Sequence, residues 1–159
     1  MRKTRKRMIL CSILLIAALA FIWGNSLRTG TESGAMSGSI LQWINKLLQL
    51  DETGAEKFHF AIRKMAHFTE FACLGILLCW FFGMTGEKGA HLICMPLLFG
   101  LLAACVDETI QVSTPDRGPS LIDVWIDTAG VAVGITALLI GYNYIRKNNK
   151  PLTFLEETT

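Results

Sequence analysis

Charge is scarce in this sequence: Asp, Glu, Lys and Arg make up 18% of its 159 residues, against 52% from the apolar set. That balance excludes a disordered chain, whose composition runs the other way. A strong net charge is missing as well. The 15 basic and 13 acidic residues leave a formal +2, which gives no electrostatic footprint for nucleic acid as a partner. Cysteine pairing signals are absent too: Cys11, Cys73, Cys79, Cys94 and Cys105 stand inside apolar runs, with no CxxC spacing and an odd total. Neither a disulfide framework nor a zinc ribbon fits, and these thiols read as small packing residues. No internal repeat or low-complexity tract breaks the chain into modules.

What the sequence has is long apolar runs. A bilayer core of about 30 Å needs about 20 helical residues, and four stretches qualify: about Met8 to Gly24, Ala66 to Met84, Gly89 to Val106 and Leu121 to Ile145. The expected fold is an all-α integral membrane protein with four transmembrane helices. Arg2, Lys3, Arg5, Lys6 and Arg7 crowd the start of the first run. A basic start followed by Ala18-Leu19-Ala20 also fits a signal peptide, but the apolar run continues through Phe21, Ile22 and Trp23, with Trp23 suited to an interfacial belt.

Lys and Arg concentrate on cytoplasmic flanks. The basic N-terminus is therefore expected inside, and four spans return the C-terminus, with Arg146, Lys147 and Lys150, to the same side. The organisation is then residues 1–24 as basic flank and first span, 25–65 as an outward segment, 66–145 as a core of three spans, and 146–159 as a cytoplasmic tail. Within the outward segment, Ile40, Leu41, Ile44, Leu47 and Leu48 are spaced as one helical face. A short amphipathic helix there either lies on the outer leaflet or packs on the end of the bundle.

The polar residues inside the spans carry the functional information, because carboxylates at membrane depth are costly and normally face a bundle interior, a partner charge or water. At 100° per residue, Arg63, His67 and Glu70 share an arc of about 60°, with Lys64 beside it. Asp107 and Glu108 close the third run, with Gln111 four and three residues on, and Arg117 follows in a Pro- and Gly-punctuated loop. Asp123, Asp127, Gly130, Gly134, Ala137 and Gly141 fall within about 80° on the fourth helix. Gly130 and Gly134 make a GxxxG spacing, which lets another backbone come close, within one chain or between chains. The carboxylates share that close-packing face, so they are expected to point inward. All three clusters fall on the outer side in the topology drawn from the terminal charges.

Read together, Lys64-Met65-Ala66-His67-Phe68-Thr69-Glu70-Phe71, Asp107-Glu108-Thr109-Ile110-Gln111, Arg117, Asp123-Val124 and Gly130 resemble the VanZ-like family. The resemblance covers about Phe58 to Gly134 and implies a small protein of the bacterial cytoplasmic membrane, linked to tolerance of glycopeptide antibiotics such as teicoplanin. Its motif positions fall here on Lys64, His67, Glu70, Asp107, Glu108, Gln111, Arg117, Asp123 and Gly130. Asp116 stands where the family commonly has Gly, and Asp127 where it often has Asn, which adds a carboxylate to the site.

Two functional classes remain open from the residues. One is a protein that binds or shields an envelope lipid or a lipid-linked cell-wall precursor, using Arg63, Lys64, Gln111, Arg117, Asp123 and Asp127. The other is a membrane-embedded enzyme on such a substrate, with His67, Glu70, Asp107 or Glu108 in acid–base work. A metal version would draw on His67, Glu70, Asp107, Glu108 and Asp123, with hard donors favouring Mg²⁺ or Mn²⁺ over zinc. His67 and Glu70 form HxxE, unlike the HExxH of a zinc protease. Small transporters commonly carry buried acids too, but here those acids lie on one side and leave the inner half without a polar path. A purely structural charge network is the remaining alternative.

The topology is directly testable. Green fluorescent protein fused after Thr159 should fluoresce and alkaline phosphatase at the same point should be inactive; the opposite pair of results would overturn the inside placement of the C-terminus.

Overall fold

The computed structural model describes residues 2–27, 52–114 and 120–148. These form four helices: α1 (Arg2–Ser26), α2 (Glu52–Met84), α3 (His91–Val112) and α4 (Leu121–Asn148), with no strand among the described residues. Each helix contains a stretch long and apolar enough to cross a bilayer: Thr4–Ser26, Phe60–Met84, His91–Val112 and Leu121–Lys147. Large apolar side chains point away from the bundle, among them Ile16, Phe21, Leu102 and Trp125, the last 73% exposed. In water such a surface would be an aggregation hazard, whereas in lipid it is the solvated face. The chain is a multi-pass membrane protein. The expected amphipathic helix around Ile40 to Gln49 and the loop carrying Arg117 lie outside the described residues.

Three helix boundaries differ from the hydropathy reading by several residues, for one physical reason. α1 begins at Arg2, inside the basic flank. α2 extends upstream through Lys64 and Arg63 to Glu52, and α3 continues past Asp107 and Glu108 to Val112. Side-chain charge ends an apolar run, but it does not interrupt the backbone ladder that defines the helix. The continuation of α3 places Gln111 one turn beyond Asp107.

The α2–α3 turn is specified by glycine. Gly86 has φ +94°, its N–H donates to Gly83 O at 3.3 Å, and the Glu87 N–H donates to Phe82 O at 3.1 Å. This is the Schellman pair of bonds closing a helix on a left-handed residue, a conformation glycine adopts without a Cβ penalty. At the start of α3, Pro96 lacks the N–H that would reach Leu92 O. The Cys79 thiol of α2 faces that carbonyl at 3.8 Å, so the residue that breaks the ladder is matched by a weak donor from the neighbouring helix.

The tightest crossing joins α2 and α4. A Cβ added at Gly134 would meet the Ala72 carbonyl, one at Gly130 the Phe68 carbonyl, and one at Gly75 the Val131 carbonyl. The GxxxG face is therefore used inside this chain, with Gly75 answering it from the opposite helix. Around the crossing, Phe71, Leu74, Cys79, Ala104, Val131 and Ile135 form the buried core, with Ile22 entering from α1. Trp23 of α1 ties to α3 by donating Nε1–H to Ala103 O at 3.4 Å.

Gly134→Ala should lower the thermal midpoint of the purified protein in detergent, by about 1–3 kcal/mol of stability, because helix backbone cannot yield as a side chain does. Gly141→Ala meets open space and should be neutral or stabilising by up to about 1 kcal/mol. Equal melting of both variants with the parent would show that the crossing is not close-packed.

Candidate functional site

The α2–α4 crossing fixes which way the carboxylates of α4 face. Asp127 lies three residues before Gly130 on the same helical stripe and is only 2% exposed. Asp107 on α3 is fully buried, and Glu108 and Gln111 beside it are buried as well. With His67, Lys64 and Glu70 on α2, these residues gather at one end of the bundle, formed by the C-terminal ends of α1 and α3, the start of α4 and the polar turns of α2.

Asp107 is the hub. Its Oδ1 accepts the Ser26 hydroxyl at 2.6 Å, and its Oδ2 accepts Gln111 Nε2–H at 2.7 Å. His67 Nδ1 stands 3.8 Å from Oδ2, an electrostatic approach longer than a hydrogen bond. Thr114 donates to the Ser26 carbonyl at 3.1 Å, closing the end of α1 against α3. Each of these bonds crosses between elements or fixes the partner that does, so the ends of α1 and α3 are registered on one carboxylate, which His67 of α2 approaches.

The other charges have separate partners. Lys64 pairs with Asp123 across α2 and α4, both largely shielded, and its ammonium also lies 4.8 Å from the Phe60 ring centre. Arg63 lies 5.9 Å from the same ring, in a cation–π arrangement. Glu70 accepts Asn25 Nδ2–H at 3.0 Å. Glu108 accepts the Ser120 N–H at 2.8 Å, a carboxylate at the N-terminus of α4, where the helix dipole favours negative charge.

Partnering is incomplete. Glu70 Oε2, Glu108 Oε1 and Asp127 Oδ1 are buried with no hydrogen-bond partner. Among the described residues, Arg63 and Lys64 are the cations that border the cavity at this end, against the carboxylates Glu70, Asp107, Glu108, Asp123 and Asp127. Buried negative charge in excess of its counter-charge is costly and favours a cationic ligand or retained protons. A cavity of about 10 Å³ opens at this point, lined by Arg63, Lys64, His67, Gln111, Asp123 and Asp127, with Ile126; that is room for one water molecule or one ion. Donor atoms of His67, Asp107 and Asp127 lie within 4.8 Å of one another.

Of the residues singled out in the sequence, the structure brings His67, Asp107, Gln111 and Asp127 together, sets Lys64 on Asp123, and directs Glu70 and Glu108 to other partners. Gly130 and Gly134 pack against α2. Arg117 lies outside the described residues, and Asp107 is held by Ser26 and Gln111. The sequence reading missed Asn25, Ser26 and Thr114. Their signal is weak, an amide and a hydroxyl just past an apolar run that looks like an ordinary span end.

With this geometry in place, comparison with known proteins gives one match. The VanZ/LLP1 family model matches residues 10–142, most of the chain. No curated protein and no solved structure matches.

Ser26→Ala would leave Asp107 Oδ1 without its donor and should cost about 1–3 kcal/mol, read as a lower detergent melting temperature. Ser113→Ala, at an exposed position at the end of α3, should change stability by less than about 0.5 kcal/mol. Equal effects of the two changes would show that Asp107 does not register α1.

Proposed function

The chain belongs to the VanZ/LLP1 family, and on that premise we propose that it binds an envelope lipid or a lipid-linked cell-wall precursor with its headgroup at the polar end, contributing to teicoplanin-type glycopeptide tolerance. The positive-inside asymmetry supports placing that end on the outer face of the bacterial cytoplasmic membrane, with both termini cytoplasmic.

One observation carries the reading. An apolar groove of about 200 Å³ is lined by Leu19, Trp23, Leu74, Leu78, Phe99, Leu102, Ala103 and Val106. Its walls belong to the same helix stretches that bear Asn25 and Ser26, Glu70, and Asp107. Leu74 lies one turn beyond Glu70, and Val106 immediately precedes Asp107. Polar end and apolar groove are thus consecutive along the bundle, the order in which an amphiphile presents head and tail. Headgroup recognition falls to Arg63 and Lys64 for phosphate oxygens and to the carboxylates and Gln111 for amino or hydroxyl groups. The bound lipid, or the outer leaflet reorganised around it, then becomes less accessible to a glycopeptide that reads the same precursor.

A second reading, a lipid-modifying enzyme, is favoured by the approach of His67 to Asp107 beside Asp127, a histidine–carboxylate arrangement of the type used in acid–base catalysis. The two readings part on whether the bound lipid is returned changed.

The test is lipid mass spectrometry on detergent-purified protein, for the parent, a groove-filling Leu78→Trp and the pair Glu70→Gln with Asp107→Asn, each confirmed folded. The parent should retain one lipid species in near-stoichiometric amount, with both variants losing it. Cells expressing the parent should need several-fold more teicoplanin for inhibition than cells expressing either variant. Bulk membrane lipid on all three proteins would overturn the binding reading, and a chemically altered lipid would favour the enzyme.

A further inference from the structure

Beside the apolar groove and the glycine stripe, the bundle holds a buried group of ligand-type side chains, His67, Asp107 and Asp127. One imidazole and two carboxylates come from three different helices, and their donor atoms all lie within 4.8 Å of one another. A cation ligated at about 2.0–2.2 Å separates its donors by up to roughly 4.4 Å, so a contraction of a few tenths of an ångström closes the group around an ion. Independent of that clustering, Asp127 is 2% exposed and its Oδ1 is buried with no hydrogen-bond partner. It lines the same small cavity as His67. A buried carboxylate oxygen left unsatisfied within reach of an imidazole and a second carboxylate can complete its bonding by ligating a cation, and among the described residues the excess of acidic over basic side chains at this end supplies the charge to hold it.

We propose that His67, Asp107 and Asp127 bind one divalent first-row transition cation of the Mn²⁺ or Zn²⁺ class. The imidazole nitrogen selects against Ca²⁺ and Mg²⁺, which take oxygen shells, and two carboxylates select against soft thiophilic ions. Asp107 keeps its bonds to Ser26 and Gln111 while ligating, since each carboxylate oxygen has a second lone pair. Those bonds act as outer-shell supports that orient it. Three protein ligands leave coordination positions open toward the cavity bordered by Arg63 and Lys64. The site stands on its own donors, whether or not a lipid occupies the groove.

The experiment uses the full chain, purified in detergent, stripped with chelator and titrated calorimetrically with Mn²⁺, Zn²⁺, Mg²⁺ and Ca²⁺. Mn²⁺ and Zn²⁺ should saturate at one ion per chain and bind at least about tenfold tighter than Mg²⁺ or Ca²⁺. Asp127→Asn should weaken binding by at least about tenfold, the loss that even an outer-shell partner causes, and Glu87→Gln in the distant α2–α3 turn should leave it unchanged. A readout on the parent alone covers a variant that fails to fold. In histidine-selective NMR, substoichiometric Mn²⁺ should broaden the His67 imidazole most strongly and His91, at the opposite end of α3, least. Absence of saturable Mn²⁺ and Zn²⁺ binding, equal binding by folded Asp127→Asn, or stronger broadening of His91 than of His67 would each overturn the proposal. The titration reads ion binding and the mass spectrum reads retained lipid, so failure of this proposal is separable from failure of the lipid-binding reading.

Discussion

The backbone contact between α2 and α4 is the constraint from which the other features follow. Gly130 and Gly134 bring α4 against the Phe68 and Ala72 carbonyls, and Gly75 receives Val131 in return. In a bilayer, helices gain little from burying apolar surface against each other, so close approach and side-chain bonding must hold them. The stripe that permits this approach also carries Asp127 and Asp123. Packing the glycines therefore turns the two aspartates inward, where each needs a partner. Asp123 finds Lys64, and Asp127 ends beside His67 and Asp107 with an oxygen unsatisfied.

A second constraint is that membrane-spanning backbone must satisfy its own hydrogen bonds. The exceptions within this chain are handled locally. The carbonyl freed by Pro96 faces a cysteine thiol, the end of α2 closes on Gly86, and the end of α1 is bonded by Thr114. The polar end departs from this economy. Oxygens of Glu70, Glu108 and Asp127 stay unpartnered in a region that is otherwise well bonded. Functional sites are where such local consistency is broken, and this break coincides with a small cavity and lies at the head of an apolar groove.

The expectation of four spanning helices followed from apolar runs alone, and the same four helices are present. The helix ends were less legible. Arg63 and Lys64 stopped the apolar run but not α2, and Asp107 and Glu108 did not stop α3. Within the site, Arg63, His67 and Glu70 were readable as one face of a helix, because 3.6-residue periodicity is a local property. That His67 approaches Asp107, and that Glu70 meets Asn25, concerns residues far apart in the chain, and no periodicity reports it.

By itself the sequence determined the helices, their polar faces and the family pattern, since bilayer thickness and helical repeat act on neighbouring residues and need no partner. The tertiary structure decided which faces meet. It spent the glycine stripe within the chain, gave Asp107 its ring of donors from α1 and α3, and left His67, Asp107 and Asp127 facing one another. These outcomes depend on the depth and rotation at which helices pack, quantities set by the joint fit of side chains from several helices, so no single segment encodes them.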